Sequence, residues 1–270
     1  MSPLTSRPLA AVTGASSGIG LELARQFASN GFDVIAAAED DAIVPRAREL
    51  AAATGASVEP VQADLSTPGG VDELYARILG SGRPLEAIAL NAGIGAGGAF
   101  ATDTALADEL RLVDLNVRST VHLAKHVVAD MAARGEGRIL FTSSIAATMP
   151  GTYQAVYNAS KSFVQSFALA LRAELKDTGV TVTSLMPGPT DTEFFERADL
   201  LDTRLGASDG KDDPADVARD GFEALMAGKE RVVSASLSTK LQGRGSRFMP
   251  DSAKAALHGR MAEPGSAKDD

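Results

Sequence analysis

The chain has 270 residues, with 35 Asp and Glu against 26 Lys and Arg, a formal charge of −9, 44% hydrophobic residues, 26 glycines and no cysteine or tryptophan. That length suits one α/β unit of roughly 250 residues whose core needs no staples. The missing cysteines exclude disulfide scaffolds, zinc fingers, iron–sulfur clusters and thiol nucleophiles. The acidic balance argues against nucleic acid as a partner, since phosphate binding needs clustered Lys and Arg. No apolar run approaches the roughly 18 residues of a membrane span. Met1 to Arg7 carry no hydrophobic export signal, so a cytoplasmic location is expected.

Along the chain, short apolar runs alternate with longer helical patterns. A strand over 9–12 leads to a helix over 18–30, with Ile19, Leu23 and Phe27 at helical spacing. A strand over 32–38 and a helix over 43–53 follow, then a strand over 58–62 and a helix over 70–79. Next come strand 87–90, helix 104–134, strand 138–142, helix 152–177, strand 180–186, helix 214–227 and strand 231–235. Seven strands with intervening helices predict an α/β fold: a doubly wound, seven-stranded parallel sheet with helices on both faces, in a single domain over 1–242. Two stretches break the pattern. Residues 191–213 form a long, acidic, mixed insert, and 243–270 form a polar tail rich in Gly, Ser, Lys and Arg, expected to be partly disordered or packed against a neighbour.

Thr13-Gly14-Ala15-Ser16-Ser17-Gly18-Ile19-Gly20 joins the first strand to the first helix. Glycines there permit a tight turn and let the backbone approach a pyrophosphate resting on the N–H groups of the helix N-terminus, as in a Rossmann-type dinucleotide site. The spacing is unlike a P-loop, which needs Gly-Lys-Ser/Thr. At the end of the second strand stands Glu39-Asp40-Asp41. An acid about 20 residues past the turn accepts hydrogen bonds from the adenosine ribose and repels a 2′-phosphate, so three acids with no Arg beside them favour NAD, with NADP not excluded. A solvated acidic turn is the plainer alternative.

Tyr157 and Lys161 are four apart in a stretch whose apolar residues recur at helical spacing, which places both on one helix face. An unperturbed phenol, with a pKa of about 10, is a poor acid or base at neutral pH. A neighbouring ammonium is expected to stabilise the phenolate and lower that value. Ser143 and Ser144 end the strand just upstream, and strand C-termini line the ligand crevice of a doubly wound sheet.

This set resembles the short-chain dehydrogenase/reductase family, whose glycine turn is Thr-Gly-x-x-x-Gly-x-Gly and whose catalytic motif is Tyr-x-x-x-Lys. Matches run in order from Thr13 to about Thr192. The resemblance implies nucleotide contacts at Gly14, Ser16, Ser17, Gly18, Ile19, Gly20, Glu39, Asp64, Leu65, Asn91, Ala92 and Gly93, with Asp64 on the adenine amino group. It further places Pro187, Gly188, Thr190 and Thr192 at the nicotinamide end, where Tyr157 and Lys161 also contact the cofactor. As catalytic residues it implies Asn116 supporting a water-linked relay to Lys161, Ser144 holding the substrate oxygen and Tyr157 exchanging the proton. Ser144 lies 13 residues before Tyr157, the family spacing, which leaves Ser143 as a neighbour. Departures are Ala38 where many NAD-dependent members carry Asp, Glu39 at a position where NADP-dependent members often carry Arg, Leu90 before Asn91, and a last strand, Arg231 to Ser236, without the usual Thr-Gly.

The implied activity is NAD(P)-dependent interconversion of an alcohol and a ketone or aldehyde, on a small to medium apolar or neutral substrate. The expected wall of Ile145, Ala147, Met149, Phe194 and Phe195 is mostly apolar. Alternatives are a non-catalytic dinucleotide-binding sensor, an NADPH-dependent ketoreductase of acyl-type substrates, and a nucleotide-sugar enzyme, for which the chain after Thr192 leaves little room. The insert reads either as an amphipathic cover or as a lid with an aromatic face. The resemblance also implies a homodimer or homotetramer built on the helices holding Asn116 and Tyr157. Tyr153 either borders the substrate or packs. His122 and His126 are four apart, but residue 123 is Leu and no third ligand is evident, so a surface or interface role is expected and no metal site.

Overall fold

The computed structural model describes residues 7–234 and 249–268. Its sheet contains β1 (Leu9–Thr13), β2 (Asp33–Ala38), β3 (Val58–Gln62), β4 (Leu85–Leu90), β5 (Gly137–Thr142), β6 (Val180–Pro187) and β7 (Arg231–Ser234). The order is β3-β2-β1-β4-β5-β6-β7 and every pairing is parallel. Each predicted strand is present to within a few residues; Ala235 lies outside the described residues. Strands buried on both faces must be apolar throughout rather than alternating, and Leu9, Ala10, Ala11 and Val12 of β1 are all buried.

The helices α1 (Gly18–Ser29), α2 (Ile43–Thr54), α3 (Pro68–Gly80), α4 (Leu106–Val113), α5 (Ser119–Arg134), α6 (Ala155–Glu174), α7 (Phe194–Arg197), α8 (Arg204–Ala207), α9 (Pro214–Met226) and α10 (Asp251–Ala262) cover the sheet or extend it. On one face α1, α2 and α9 bury Leu23, Phe27, Leu50, Phe222 and Leu225. Phe27, Phe32 and Phe222 meet edge to face, with Phe27 5.3 Å from Phe32 and 5.2 Å from Phe222, each pair adding about 0.5–1.5 kcal/mol to burial alone. The opposite face is closed by α3, α5 and α6 through Leu74, Leu123, Met131 and Val164. Among the described residues no helix is long and apolar enough to cross a membrane.

Three predicted segments differ in ways that matter for the site. The single helix expected over 104–134 is interrupted by a π turn at Asp114–Arg118. There Ser119 Oγ donates to Leu115 O and Thr120 Oγ1 to Asn116 O, hydroxyl bonds that compete with the regular backbone ladder. The helix expected from 152 begins instead at Ala155, because Tyr153 holds a left-handed φ of +66°, rarely adopted outside glycine. The stretch expected as a polar tail contains α10, which Thr152 Oγ1 ties to the body by donating to Ala255 O, and the turn after it returns to the insert: Ala267 N donates to Asp202 O and Arg204 N to Ser266 Oγ. The insert itself folds as α7 and α8 around Phe195, Ala198 and Leu200.

Candidate active site

The strand order reverses between β1 and β4, and a crevice opens outside their C-terminal ends, where a doubly wound sheet takes its ligand. The cavity is about 340 Å³. Gly14 and Gly18 take left-handed φ values of +68° and +52°. At Gly20 a Cβ would stand 1.9 Å from Gly14 O, so no side chain fits where the turn closes on α1. The Ser17 side chain makes no capping bond to α1, and the first turn of that helix carries no acid. Its N–H groups are left to face an anion, with the helix dipole favouring negative charge. This cradle fits a dinucleotide pyrophosphate.

Asn91 and Thr13 tie the floor of the crevice together. Asn91 N and Ala92 N each donate to Thr13 Oγ1 at 2.9 Å, Asn91 Nδ2 donates to Thr13 O, and Thr142 Oγ1 donates to Asn91 Oδ1. The side chain expected to touch nucleotide therefore also staples β1, β4 and β5 at their ends. Pro187 and Gly188 border the same crevice, and Gly188 N donates to Ser234 O. Thr190 Oγ1 donates to Gly188 O, while Thr192 receives the N–H of Phe194 and abuts Gly18.

At the adenosine end Ala38, Glu39, Asp40, Ala63, Asp64 and Leu65 line the wall. Asp40 is engaged inside the protein: Ser16 Oγ donates to it at 2.7 Å, and so does Ala42 N at 3.1 Å. Asp64 accepts from the hydroxyl and the N–H of Ser66, and the hydroxyl bond chiefly holds its carboxyl below the ordinary value. The expectation that no Arg stands beside the acids fails here. Arg111, from α4, pairs with Glu39 at 2.5 Å, and its charge also lowers Asp64. An arginine 72 positions away in sequence carries no local signal.

At the other end, Asn116 is 1% exposed and clamps the loop after β4. Its Oδ1 accepts from Ile94 N, and its Nδ2 donates to Ile94 O and to Ser160 Oγ. A Cβ on Gly93 would lie 3.1 Å from Asn116 Oδ1 and 3.2 Å from Lys161 Nζ, so both polar groups border one small space that only glycine leaves open. Lys161 Nζ donates to Thr142 O at 3.1 Å and lies over the Tyr157 ring, 5.9 Å from its centroid. Ser143, which also borders the cavity, spends its hydroxyl on a bond to Lys161 O. Ser144 Oγ accepts from Ala146 N.

Burial pushes the Tyr157 phenol up to about 12, a rise opposed by Ser144, and burial brings Lys161 down from 10.5 to about 8. The lowering of the phenol expected from an adjacent ammonium is not what the structure shows. Desolvation penalises the phenolate more than the Ser144 hydrogen bond relieves it.

Phe194 of α7 packs on Tyr157 with ring centroids 5.1 Å apart. The glycine run after β4 makes room for this insert: a Cβ on Gly95 would meet Phe194 Cζ at 2.5 Å, one on Gly97 would meet Leu200 Cδ2 at 2.4 Å, and Gly97 N donates to Ala198 O. Tyr153 is not among the cavity residues; its carbonyl receives Gly98 N instead. Sequence reasoning missed Gln154, a buried polar side chain on the cavity wall, and His258 of α10. His258 Nδ1 lies 3.0 Å from Thr152 O, and desolvation lowers its pKa, so the ring is neutral with Nδ1–H donating. Leu257 and Met261 line the cavity beside it. The apolar residues of α10 are spread around the helix rather than gathered on one side, so its sequence does not announce a buried face.

The short chain dehydrogenase family matches residues 8–200. An uncharacterised short-chain type dehydrogenase/reductase of Sinorhizobium fredii is 36% identical over 198 residues, covering 73% of this chain and 76% of that protein. The 1-deoxy-11-beta-hydroxypentalenate dehydrogenase of Streptomyces exfoliatus is 36% identical over 219 residues, covering 80% and 78%. Among solved structures, a short-chain dehydrogenase from Sphingobium yanoikuyae in complex with NADPH superposes with a TM-score of 0.79 at 26% identity, over 93% of this chain and 94% of that one.

Proposed function

The chain belongs to the short-chain dehydrogenase family and is an NAD(P)-dependent oxidoreductase of alcohols and carbonyls; from that premise we propose that it reduces a neutral, largely apolar ketone or aldehyde, with Tyr157 donating the proton. The observation that carries this reading is the meeting of Ser144, Tyr157 and Lys161 on one wall of a cavity whose other walls include Ile145, Met149, Phe194, Phe195 and Leu257. A nicotinamide dinucleotide, when bound, supplies or accepts the hydride. Gly14, Ser16, Ser17, Gly18, Ile19 and Gly20 hold its pyrophosphate, Asp64 and Leu65 its adenine, and Asn91, Ala92, Gly93, Pro187, Gly188, Thr190 and Thr192 the far half. Ser144 Oγ donates to the substrate oxygen, and Tyr157 passes its proton to that oxygen as negative charge develops. Lys161 stabilises the phenolate left behind and binds ribose, while Asn116 positions the Gly93–Ile94 backbone and the relay water beside Nζ. Preorganised donors at a developing alkoxide act most strongly in a buried site. A phenol with its pKa raised to about 12 is protonated at neutral pH and so stands ready to donate that proton.

Residues 191–213 serve as a lid, with Phe194 shielding Tyr157 from water. A sensor without catalysis has no use for Ser144, Tyr157 and Lys161 together. Turnover of a ketone panel with NADH and NADPH, followed by nicotinamide absorbance, tests the reading; tight cofactor binding with no turnover across the panel sinks it in favour of the sensor.

For cofactor choice, Glu39 favours NAD and Arg111 tempers it by neutralising that carboxylate. Glu39→Arg is expected to raise the NADP/NAD affinity ratio at least tenfold, the effect of about 1.4 kcal/mol from one exposed, screened charge. Arg111→Ala is expected to move the ratio the other way. Unchanged ratios in both would remove the pair from selectivity.

Leu106, Leu110 and Val113 of α4, Val121 of α5 and Phe163 of α6 are exposed apolar side chains on the helices that carry Asn116 and Tyr157. This supports a homo-oligomer formed through those helices. Leu110→Asp is expected to shift the mass by light scattering toward the monomer; an unaltered mass places the interface elsewhere.

A further inference from the structure

Helices α3 and α5 lie side by side on one face of the sheet, and the groove between them holds a group of side chains that the hydride chemistry does not use. His122 and His126 stand one turn apart on α5, and Asp72 of α3 supplies the third residue that the sequence does not reveal. One ligating atom from each lies within 4.8 Å of the other two, and His122 Nε2 is already 3.1 Å from Asp72 Oδ1. A tetrahedral ion with Zn–N and Zn–O bonds of about 2.0–2.1 Å needs ligand atoms about 3.3 Å apart, so small side-chain rotations close the gap.

Supporting contacts hold the second imidazole in place. The Tyr75 ring lies flat on His126, with centroids 4.4 Å apart and planes at 15°. Tyr75 is itself anchored by donating its hydroxyl to Asp130 Oδ2 at 2.7 Å, a bond that chiefly raises the phenol pKa and keeps it neutral. An ordinary surface ion pair accounts for His122 with Asp72, but not for a second histidine one turn on with an oriented ring and no hydrogen bond from either nitrogen among the described residues. Asp72 is exposed, so water can complete the coordination.

We propose that Asp72, His122 and His126 form a site for a divalent transition ion, Zn²⁺ or a close relative, that clasps α3 to α5. Two imidazoles and one carboxylate suit Zn²⁺, Co²⁺, Ni²⁺ or Cu²⁺ and give little purchase to Mg²⁺ or Ca²⁺, which prefer all-oxygen sets. The ion's role is structural: it bridges two surface helices, away from Tyr157 and Lys161, and bonds only to the folded arrangement.

The test is calorimetric titration of the tag-free, chelator-treated full chain with Zn²⁺, alongside thermal unfolding. One equivalent is expected to bind, and at about a hundredfold excess over Kd to raise Tm by about 5–10 °C. His126→Ala and Asp72→Asn are each expected to weaken binding at least tenfold and abolish that rise, and His126→Gln, which keeps a side chain against Tyr75, should do the same. His258→Ala should bind as wild type. No stoichiometric Zn²⁺ in the wild type, undiminished binding in the Asp72 and His126 variants, or equal response to Mg²⁺ overturns the proposal.

Discussion

Tyr157→Phe is expected to lower kcat by about a thousandfold while leaving nucleotide affinity within a factor of two or so, because a positioned general acid contributes roughly 10²–10⁴ in rate. The substitution removes one hydroxyl and little else. The ring retains its packing on Phe194 at 5.1 Å and its place beneath the Lys161 ammonium, and the hydroxyl's neighbour is Ser144 rather than a buried backbone group. Unfolding should therefore occur within a degree or two of wild type, since Ser144, which loses the phenol as a partner, keeps the bond it accepts from Ala146 N. Single-turnover kinetics with a reduced nicotinamide and a reactive ketone separate the chemical step from binding. Near-normal turnover would mean that proton transfer runs through another group, and the assignment of Ser144 and Lys161 would fall with it.

A pH profile of the reductive reaction should show a high-pH limb belonging to Lys161. Its folded pKa, lowered by burial from 10.5 to about 8, leaves Nζ charged through neutrality and discharged above it. The phenolate generated by proton donation loses its stabilising cation along the same limb. The rate is expected to be flat between about pH 6 and 7 and to fall about tenfold per unit well above 8. Lys161→Met should cost about 10²–10³ in kcat and abolish the limb. A profile that stays flat to pH 9.5 or so in wild type would exclude Lys161 as the titrating group. The same depression has a stability sign. The unfolded chain binds this proton more tightly than the folded one, so the contribution present above 10.5 is lost as pH falls to about 8. A charge useful to chemistry thus costs stability at neutral pH, and Lys161→Met should unfold no earlier than wild type even without its bond to Thr142.

Most of the sheet was legible because parallel strands buried on both faces write themselves as short apolar runs between amphipathic helices. The glycine turn and the Tyr157–Lys161 pair were legible for a different reason: each is local, with its geometry set by residues a few positions apart. What escaped was contact at long range. Arg111 reaches Glu39 across 72 positions, and Asp72 joins His122 across two helices. His258 enters the cavity from a helix whose apolar residues are too evenly spread to mark an inward face. The direction of the Tyr157 shift was misjudged for a related reason, since helical spacing reports that two side chains are neighbours but not how much water surrounds them. The π turn was invisible because Ser119 and Thr120 are unremarkable until their hydroxyls are seen bonding back along the helix.

The widened turn at Asp114–Arg118 gives that helix one residue more than a continuous α-helix needs, and it rotates everything after it by roughly 100° relative to α4. A redesign that judged the segment by helical regularity would delete the surplus residue and gain a cleaner ladder. It would also swing the Asn116 carboxamide off Ile94 and Ser160, turn His122 and His126 out of the groove shared with α3, and alter which apolar side chains α4 and α5 present together. One inserted residue therefore acts as a common gear for three surfaces of the molecule, and they must change together or not at all.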